Sequence, residues 1–231
     1  MVDGWLVRFS NGFTKRANSV VPLYTATQNE TTGEQTLLDR VRYCENLYAR
    51  ARLQTVFRLP EVSLQAEHLD TLLEQRRYQK AETTWVMTAP LGLAKPGADI
   101  RFVSVDQWLA GYTALTGIDE PSSRLHRLLI QRIPGECGFA LAFADEPEHP
   151  VACGLAVQEA SVLGIFDVYT HSQHRQQGYA RQIMQSLLAW GATQGARLSY
   201  LQVNAENSAA IDLYTDLGFQ SEYRYWYRIA Q

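Results

Sequence analysis

The chain has 231 residues, with 46% hydrophobic and 11% aromatic content, enough for a packed core in one large domain or two small ones. Net charge is −3 and no basic block occurs, so nothing recommends nucleic acid or a membrane surface as a partner. Cys44, Cys137 and Cys153 are odd in number and widely spaced, which suggests neither a disulfide framework nor a metal knuckle. No segment approaches the ~18 apolar residues of a membrane span, and the start does not read as a signal peptide. A cytoplasmic protein without a metal is the expectation.

Residues 5–9 and 14–20 predict two short strands around a turn at Asn11-Gly12. Leu37, Val41, Cys44, Leu47 and Tyr48 give residues 37–52 a helical rhythm. A strand is predicted at 54–59, a helix at 68–77 and a strand at 81–89. Residues 90–99, PLGLAKPGAD, are rich in Pro and Gly and read as a linker. Helices are predicted at 105–116 and 122–130, and paired strands at 138–144 and 151–160. Residues 163–170 form an apolar, β-branched and aromatic run that predicts a buried strand. A polar loop, 171–177, leads to Gly178. Ala180, Ile183, Met184, Leu187, Leu188 and Gly191 then mark one face of an amphipathic helix. A strand at 198–204, a helix at 208–217 and a long aromatic strand at 219–229 close the chain.

A strand, a glycine-bearing loop and a helix in that order have a physical use. The first N–H groups of a helix lack intrahelical partners, and the helix dipole makes that end partly positive. Gly178 lets the backbone approach an anion closely, and Arg175 adds a positive fork. The stretch can cradle a pyrophosphate. A nucleotide-binding α/β protein is one reading of such a loop, but the chain lacks the Gly-x-x-x-x-Gly-Lys-(Ser/Thr) run.

The two halves of the chain echo each other. Ala-Arg-Leu occurs at 51–53 and at 196–198, each time between a helix and a strand. At that spacing Gly33 matches Gly178, and with a short gap Trp85 matches Trp226. This predicts a tandem repeat.

Arg175-Gln176-Gln177-Gly178-Tyr179-Ala180 resembles the (Gln/Arg)-x-x-Gly-x-(Gly/Ala) coenzyme A signature of the GNAT family of N-acetyltransferases. Asn207-Ser208-Ala209-Ala210-Ile211-Asp212-Leu213-Tyr214, followed by Leu217-Gly218-Phe219, resembles that family's Asn-x-x-Ala-x-x-Leu-Tyr…Gly-Phe ending. The match covers roughly residues 99–231. It departs at Ser172, where the family often has Pro. The resemblance implies an α/β (α+β) GNAT fold: a mixed, mostly antiparallel central sheet flanked by helices. It divides the chain into a degenerate GNAT-like domain at 1–90, a linker at 91–98 and a catalytic domain at 99–231. In the first half Glu30 stands where Arg175 stands, Gln35 replaces Ala180 and Leu73 replaces Tyr214, so that half is expected to lack the chemistry.

The resemblance also implies acetyl transfer from acetyl-CoA to a primary amine of a small molecule or peptide. The alternative is a silent acyl-CoA-binding sensor. A monomer or homodimer is expected. The pyrophosphate falls to Arg175, Gln176, Gln177, Gly178, Tyr179, Ala180 and Arg181. In this family the strand before the loop splays from its neighbour and its backbone binds the pantetheine arm. Here those groups belong to Val168, Tyr169 and Thr170. Asn207 resembles the asparagine that contacts pantetheine, or is a plain helix N-cap. An alkylamine with a pKa of ~10.4 is only roughly one part in 10³ neutral at pH 7, so a base helps. Asp167, a carboxylate inside an apolar strand, is the first candidate, with His171 and Glu159 behind it. The alternative for Asp167 is a carboxylate satisfied by a neighbouring side chain. Tyr214 is the candidate acid for the leaving thiolate, or else a packed core tyrosine. Asn204 is a weaker site candidate. Tyr223, Tyr225, Trp226 and Tyr227 either line an acceptor pocket or pack in the core.

Overall fold

A computed structural model describes residues 4–23, 34–92, 95–144, 146 and 148–231, with only the backbone described at Glu34 and Gln35. Glu30, Gly33 and the Gln35 side chain, which carried part of the repeat comparison, lie outside the described residues. In chain order the elements are β1 (Trp5–Val7), β2 (Val20–Pro22), α1 (Glu34–Arg50), β3 (Val56–Pro60), α2 (Ala66–Gln75) and β4 (Gln79–Pro90). Then come β5 (Ile100–Phe102), α3 (Val105–Thr116), α4 (Glu120–Ile130), β6 (Glu136–Phe143), β7 (Pro150–Glu159) and β8 (Val162–Thr170). After a 3-10 turn (Ser172–His174) follow α5 (Tyr179–Thr193), β9 (Leu198–Asn204), α6 (Ser208–Asp216) and β10 (Gln220–Ile229). Among the described residues no helix is long and apolar enough to cross a membrane.

Two compact units form. The first comprises Met1–Val86, Asn204–Glu206 and Glu222–Gln231; the second comprises Met87–Val203 and Asn207–Ser221. In the first, the strand order is β1-β2-β3-β10-β4. β1 runs antiparallel to β2, β2 parallel to β3, and β10 antiparallel to β3. Leu37, Val41, Cys44 and Tyr48 of α1 are buried, as their spacing demands, together with Leu69, Leu72 and Leu73 of α2. They pack with Trp5, Val20, Phe57 and Leu59 of the sheet. The strand expected at 14–20 is corrected to Val20–Pro22. Residues 10–19 instead fold around Asn18, whose side-chain oxygen accepts from the backbone N–H groups of Ser10 and Gly12. A side chain that supplies the turn's acceptor leaves no need for a ladder there. The short strand β5, directly after the Pro/Gly-rich stretch, was not expected. Its three residues pair with Leu141 and its neighbours on β6, a contact too distant in sequence to leave a local signature.

A buried ion pair fastens β10 to α2. Arg228, 4% exposed, donates from Nε and one terminal nitrogen to the two oxygens of Asp70, at 2.7 and 3.0 Å. Its other nitrogen donates to the Tyr78 carbonyl, and Trp226 Nε1 donates to Asp70 at 2.5 Å. Burial opposes ionisation of Asp70, but the hydrogen bonds from Arg228 and Trp226 outweigh it and hold the carboxyl below its ordinary value. A depressed folded-state value means that the unfolded chain binds more protons. The stabilisation is therefore complete above about pH 4 and is lost as pH falls through the native value. Asp70→Ala leaves a buried guanidinium that keeps its bond to the Tyr78 carbonyl but has the exposed Glu74, at 3.4 Å, in place of its bidentate carboxylate. The expected cost is about 3 kcal/mol, the low end for breaking such a pair. Urea unfolding at neutral pH and at progressively lower pH checks both points: the gap between parent and variant should narrow on acidification.

In the second unit the order is β9-β8-β7-β6-β5, with the end of β4 beside β9. There Ser199 Oγ donates to the Ala89 carbonyl and Leu91 N–H to the Arg197 carbonyl. β6, β7 and β8 are antiparallel, and β8 runs parallel to β9. Alternation along β7 sends Cys153, Leu155 and Val157 into the core beneath α3, with Trp108 and Leu109. Gly154 faces the opposite helix, α5. A Cβ there would lie 2.5 Å from Ile183 Cγ2, and one on Gly191 would lie 2.4 Å from Leu163 Cδ2. These two glycines let α5 lie close against the sheet. The α5 stripe is buried as expected from Ile183 to Gly191. α3 begins with a capping box of Ser104 and Gln107 and ends at Gly117 with φ +64°.

Candidate functional site

The site begins where β8 and β9 part. They pair only over Val162↔Leu198, Leu163↔Ser199 and Gly164↔Tyr200. β8 then continues to Thr170 and β9 to Asn204 without pairing each other. Phe166 and Tyr200 meet edge to face at the fork, 5.9 Å between centroids. The other edge of β8, paired with β7, is irregular as well. Leu155 pairs with Phe166 and Cys153 with Tyr169, so Asp167 and Val168 together oppose Gly154. This is a β-bulge, and Asp167 sits in it with φ +50°. The freed Gly154 carbonyl accepts from Trp108 Nε1 at 3.0 Å.

After β8 the chain passes through the 3-10 turn and then reverses. Gln176 and Gly178 have φ of +60° and +87°. Gly178 is the N-cap of α5 and offers no capping side chain, so the first N–H groups of the helix keep their donors. A Cβ at Gly178 would meet only Gln182 Nε2, at 3.9 Å, so the space before the helix is open. Arg175 Nε leans on the Thr170 carbonyl at 3.4 Å. Arg181 reaches Asp216 at 2.8 Å and ties the start of α5 to the end of α6.

Between these elements lies a cleft of about 610 Å³. It brings together Val168, Tyr169 and Thr170 of β8, Arg175, Gln176, Gly178, Tyr179, Ala180 and Arg181 of the loop and α5, and Asn207 and Tyr214 of α6. Thr170 Oγ1 is buried there with no hydrogen-bond partner among the described residues. Asn207 caps α6 by accepting from Ala210 N–H at 3.2 Å while also facing the cleft. Tyr214 is 9% exposed, and burial pushes its phenol upward, so it is protonated at neutral pH. Gln177 turns instead into a neighbouring cleft of about 570 Å³, with Asp99, Arg101 and Gln182. Tyr179 borders both.

Asp167 does not line the main cleft. The bulge sends its side chain toward α4, where Oδ2 lies 3.1 Å from His126 Nε2. Glu159 stands at the far end of β7, opposite Val162. His171 continues the ladder by donating its N–H to the Val151 carbonyl. Asn204 accepts from Glu206 N–H in its own turn. Tyr225 and Tyr227 are packed in the core of the first unit with Val56 and Val86.

The cleft sets an uncapped helix N-terminus beside a parted pair of strands. Residues 1–228 match the family described as "Probable histone acetyltransferase Rv0428c C-terminal". The chain belongs to this acetyltransferase family. It is 27% identical to "Uncharacterized N-acetyltransferase YobR" of Bacillus subtilis (strain 168), over 99% of this chain and 90% of that one. A GCN5-related N-acetyltransferase from Sphaerobacter thermophilus shares the fold with a TM-score of 0.71 at 19% identity, over 91% of this chain and 71% of that one. A tandem GNAT protein from the clavulanic acid biosynthesis pathway does so with a TM-score of 0.68 at 12% identity, over 92% and 75%. The mixed, helix-flanked sheet is thus a GNAT fold, and the chain is a GNAT N-acetyltransferase.

Three features of this acetyltransferase escaped the sequence reading. His174 lines the main cleft, its ring edge-on to Tyr179 at 6.2 Å. Leu213, inside the second motif, forms part of the wall. His126 was overlooked. It and Ile130, one turn apart, are the buried residues of α4, and that spacing was the available signal.

Proposed function

We propose that the enzyme transfers acetyl from acetyl-CoA to a primary amine by direct attack within a ternary complex. The observation that carries this is the single cleft that joins an uncapped helix N-terminus to the parted end of β8. The first N–H groups of α5, with Arg175, hold the pyrophosphate. Gln177 adds a polar side chain beside this loop. The backbone of Val168, Tyr169 and Thr170 runs along the pantetheine arm and offers a donor to the thioester oxygen. A preorganised N–H aimed at a developing oxyanion supplies about 3 kcal/mol. Thr170 Oγ1 and Asn207 add polar partners for the arm's amides.

In the reaction the amine nitrogen bonds to the acetyl carbon and the carbon–sulfur bond breaks. Asp167 takes the amine proton and Tyr214 gives a proton to the thiolate. The acceptor is a small molecule or a peptide amine. An acetyl-CoA turnover screen against polyamines, amino acids, aminoglycosides and a lysine-rich histone-tail peptide, with product masses measured, tests the reading. The last probe is included because the family's description names histones. Thiol release with at least one amine is expected. Coenzyme binding without thiol release from any of them would make the protein a sensor instead.

We also propose that the chain is a tandem form, with residues 1–90 a degenerate copy, 91–98 a linker and 99–231 the catalytic part. The element order α1-β3-α2-β4 repeats as α5-β9-α6-β10. An antiparallel pair followed by a parallel one, β1/β2 then β2/β3, repeats as β7/β8 then β8/β9. Leu73, in place of Tyr214, is fully buried on α2. Calorimetry should give one coenzyme per chain; two would overturn the degenerate assignment.

A further inference from the structure

The bulge in β8 and the helix α4 form a hydrogen-bonded pair that the two motifs do not mention. Asp167 Oδ2 and His126 Nε2 are 3.1 Å apart, across 41 residues of sequence. The His126 side chain is 6% exposed, while that of Asp167 is 31% exposed. The imidazole packs against two α3 rings, Tyr112 at 4.5 Å and Trp108 at 5.9 Å. Trp108 is itself fixed by its bond to the Gly154 carbonyl, the group that the bulge releases from the ladder. The backbone at Asp167 is also held by Cys153, whose thiol contacts the Asp167 carbonyl at 3.5 Å. Every component of this arrangement orients one carboxylate.

We infer that His126 is a positioning residue that fixes the Asp167 carboxylate for collecting the proton of the acceptor amine. The inference rests on the proposed acetyl transfer and on Asp167 as its base. Burial decides the division of labour. The imidazole is too enclosed to reach an acceptor, whereas the carboxylate is open to one. When the carboxylate is ionised it only accepts hydrogen bonds, and His126 Nε2 is then the donor of the pair. Oδ2 is then occupied by His126 and Oδ1 is left to receive the amine proton, which it later passes to water. The bulge is what makes this possible. In a regular strand Phe166 and Asp167 would point to opposite faces. With the extra residue, Phe166 packs into the core under α3 and Asp167 still turns to α4, one residue before the Val168 that lines the coenzyme cleft.

The test uses the full chain, acetyl-CoA and whichever amine of the panel turns over best. His126→Phe keeps a ring against Tyr112 but removes the donor. It should lower kcat by about 10- to 100-fold, the scale of a misplaced catalytic group, with acetyl-CoA affinity unchanged by calorimetry. His126→Gln keeps an N–H near the former Nε2 and should recover most of that loss. In an Asp167→Asn background, His126→Phe should cost little more, because the two residues act as one unit. His126→Leu replaces the Phe variant if thermal melting shows the latter unfolded. A parent that turns over, with His126 variants at parental kcat, overturns the inference. So does a Gln variant as slow as the Phe variant, or losses that simply multiply. If Asp167→Asn is as fast as the parent, the base assignment itself fails. If no amine turns over, the proposed acetyl transfer fails and the positioning role fails with it.

Discussion

Tyr214→Phe should bind acetyl-CoA as tightly as the parent and turn over more slowly by about 10²-fold, the low end of the general-acid range. The phenol lines the cleft near the end of a nine-residue helix. Burial keeps it protonated, so it arrives at the reaction as a donor. In the proposed reaction it is called on only when negative charge builds on sulfur. An interaction made only in the transition state lowers kcat and kcat/KM together when it is removed. The thiolate is a fair leaving group in its own right, which argues for the low end. The substitution removes one oxygen, and the ring keeps its packing against Phe219, 6.1 Å between centroids. Stability should therefore change little. Steady-state kinetics with calorimetry decide the matter, provided that chemistry is rate-limiting. A Phe variant within about twofold of the parent, well below the general-acid range, makes Tyr214 a packing residue and water the acid.

Gly178→Trp should abolish coenzyme binding and leave the protein folded. Two observations set this expectation. The space at a Gly178 Cβ is open, so a side chain there would project into the position proposed for the anion. Gly178 also has φ +87°, a conformation that costs an L-residue about 1–2 kcal/mol. That strain is small against the stability of a whole domain, ~5–15 kcal/mol. Calorimetry should show no heat of binding for a variant whose melting curve is still cooperative. Arg175→Ala should weaken binding less, because the backbone donors of α5 survive it. Unchanged affinity in a folded Gly178→Trp variant would remove the cradle from the mechanism.

Much of this protein is set by residues close together in sequence. The stripe from Ile183 to Gly191 determines that α5 is a helix and which face it buries. Gly178 determines where that helix can begin with exposed donors. Asn207 and Tyr214 lie seven residues apart, close to two helical turns, so they share a face of α6 and reach one cleft. Periodicity, caps and positive-φ glycines act over one or two turns, and the chain states them locally. Asp167 shows the boundary of that logic. A carboxylate within an apolar strand marks an unusual position, but strand alternation cannot foretell a bulge that turns it toward α4. Its partner His126 is 41 residues away and gains its meaning only when α3 and α4 pack on the sheet. The parting of β8 from β9, the pairing of β10 with β3 and the Asp70–Arg228 bond across 158 residues are of the same kind. Each depends on which surfaces meet after the chain has folded back on itself. Only the tertiary structure decides that, because the free energy of such contacts comes from groups that the local sequence does not contain.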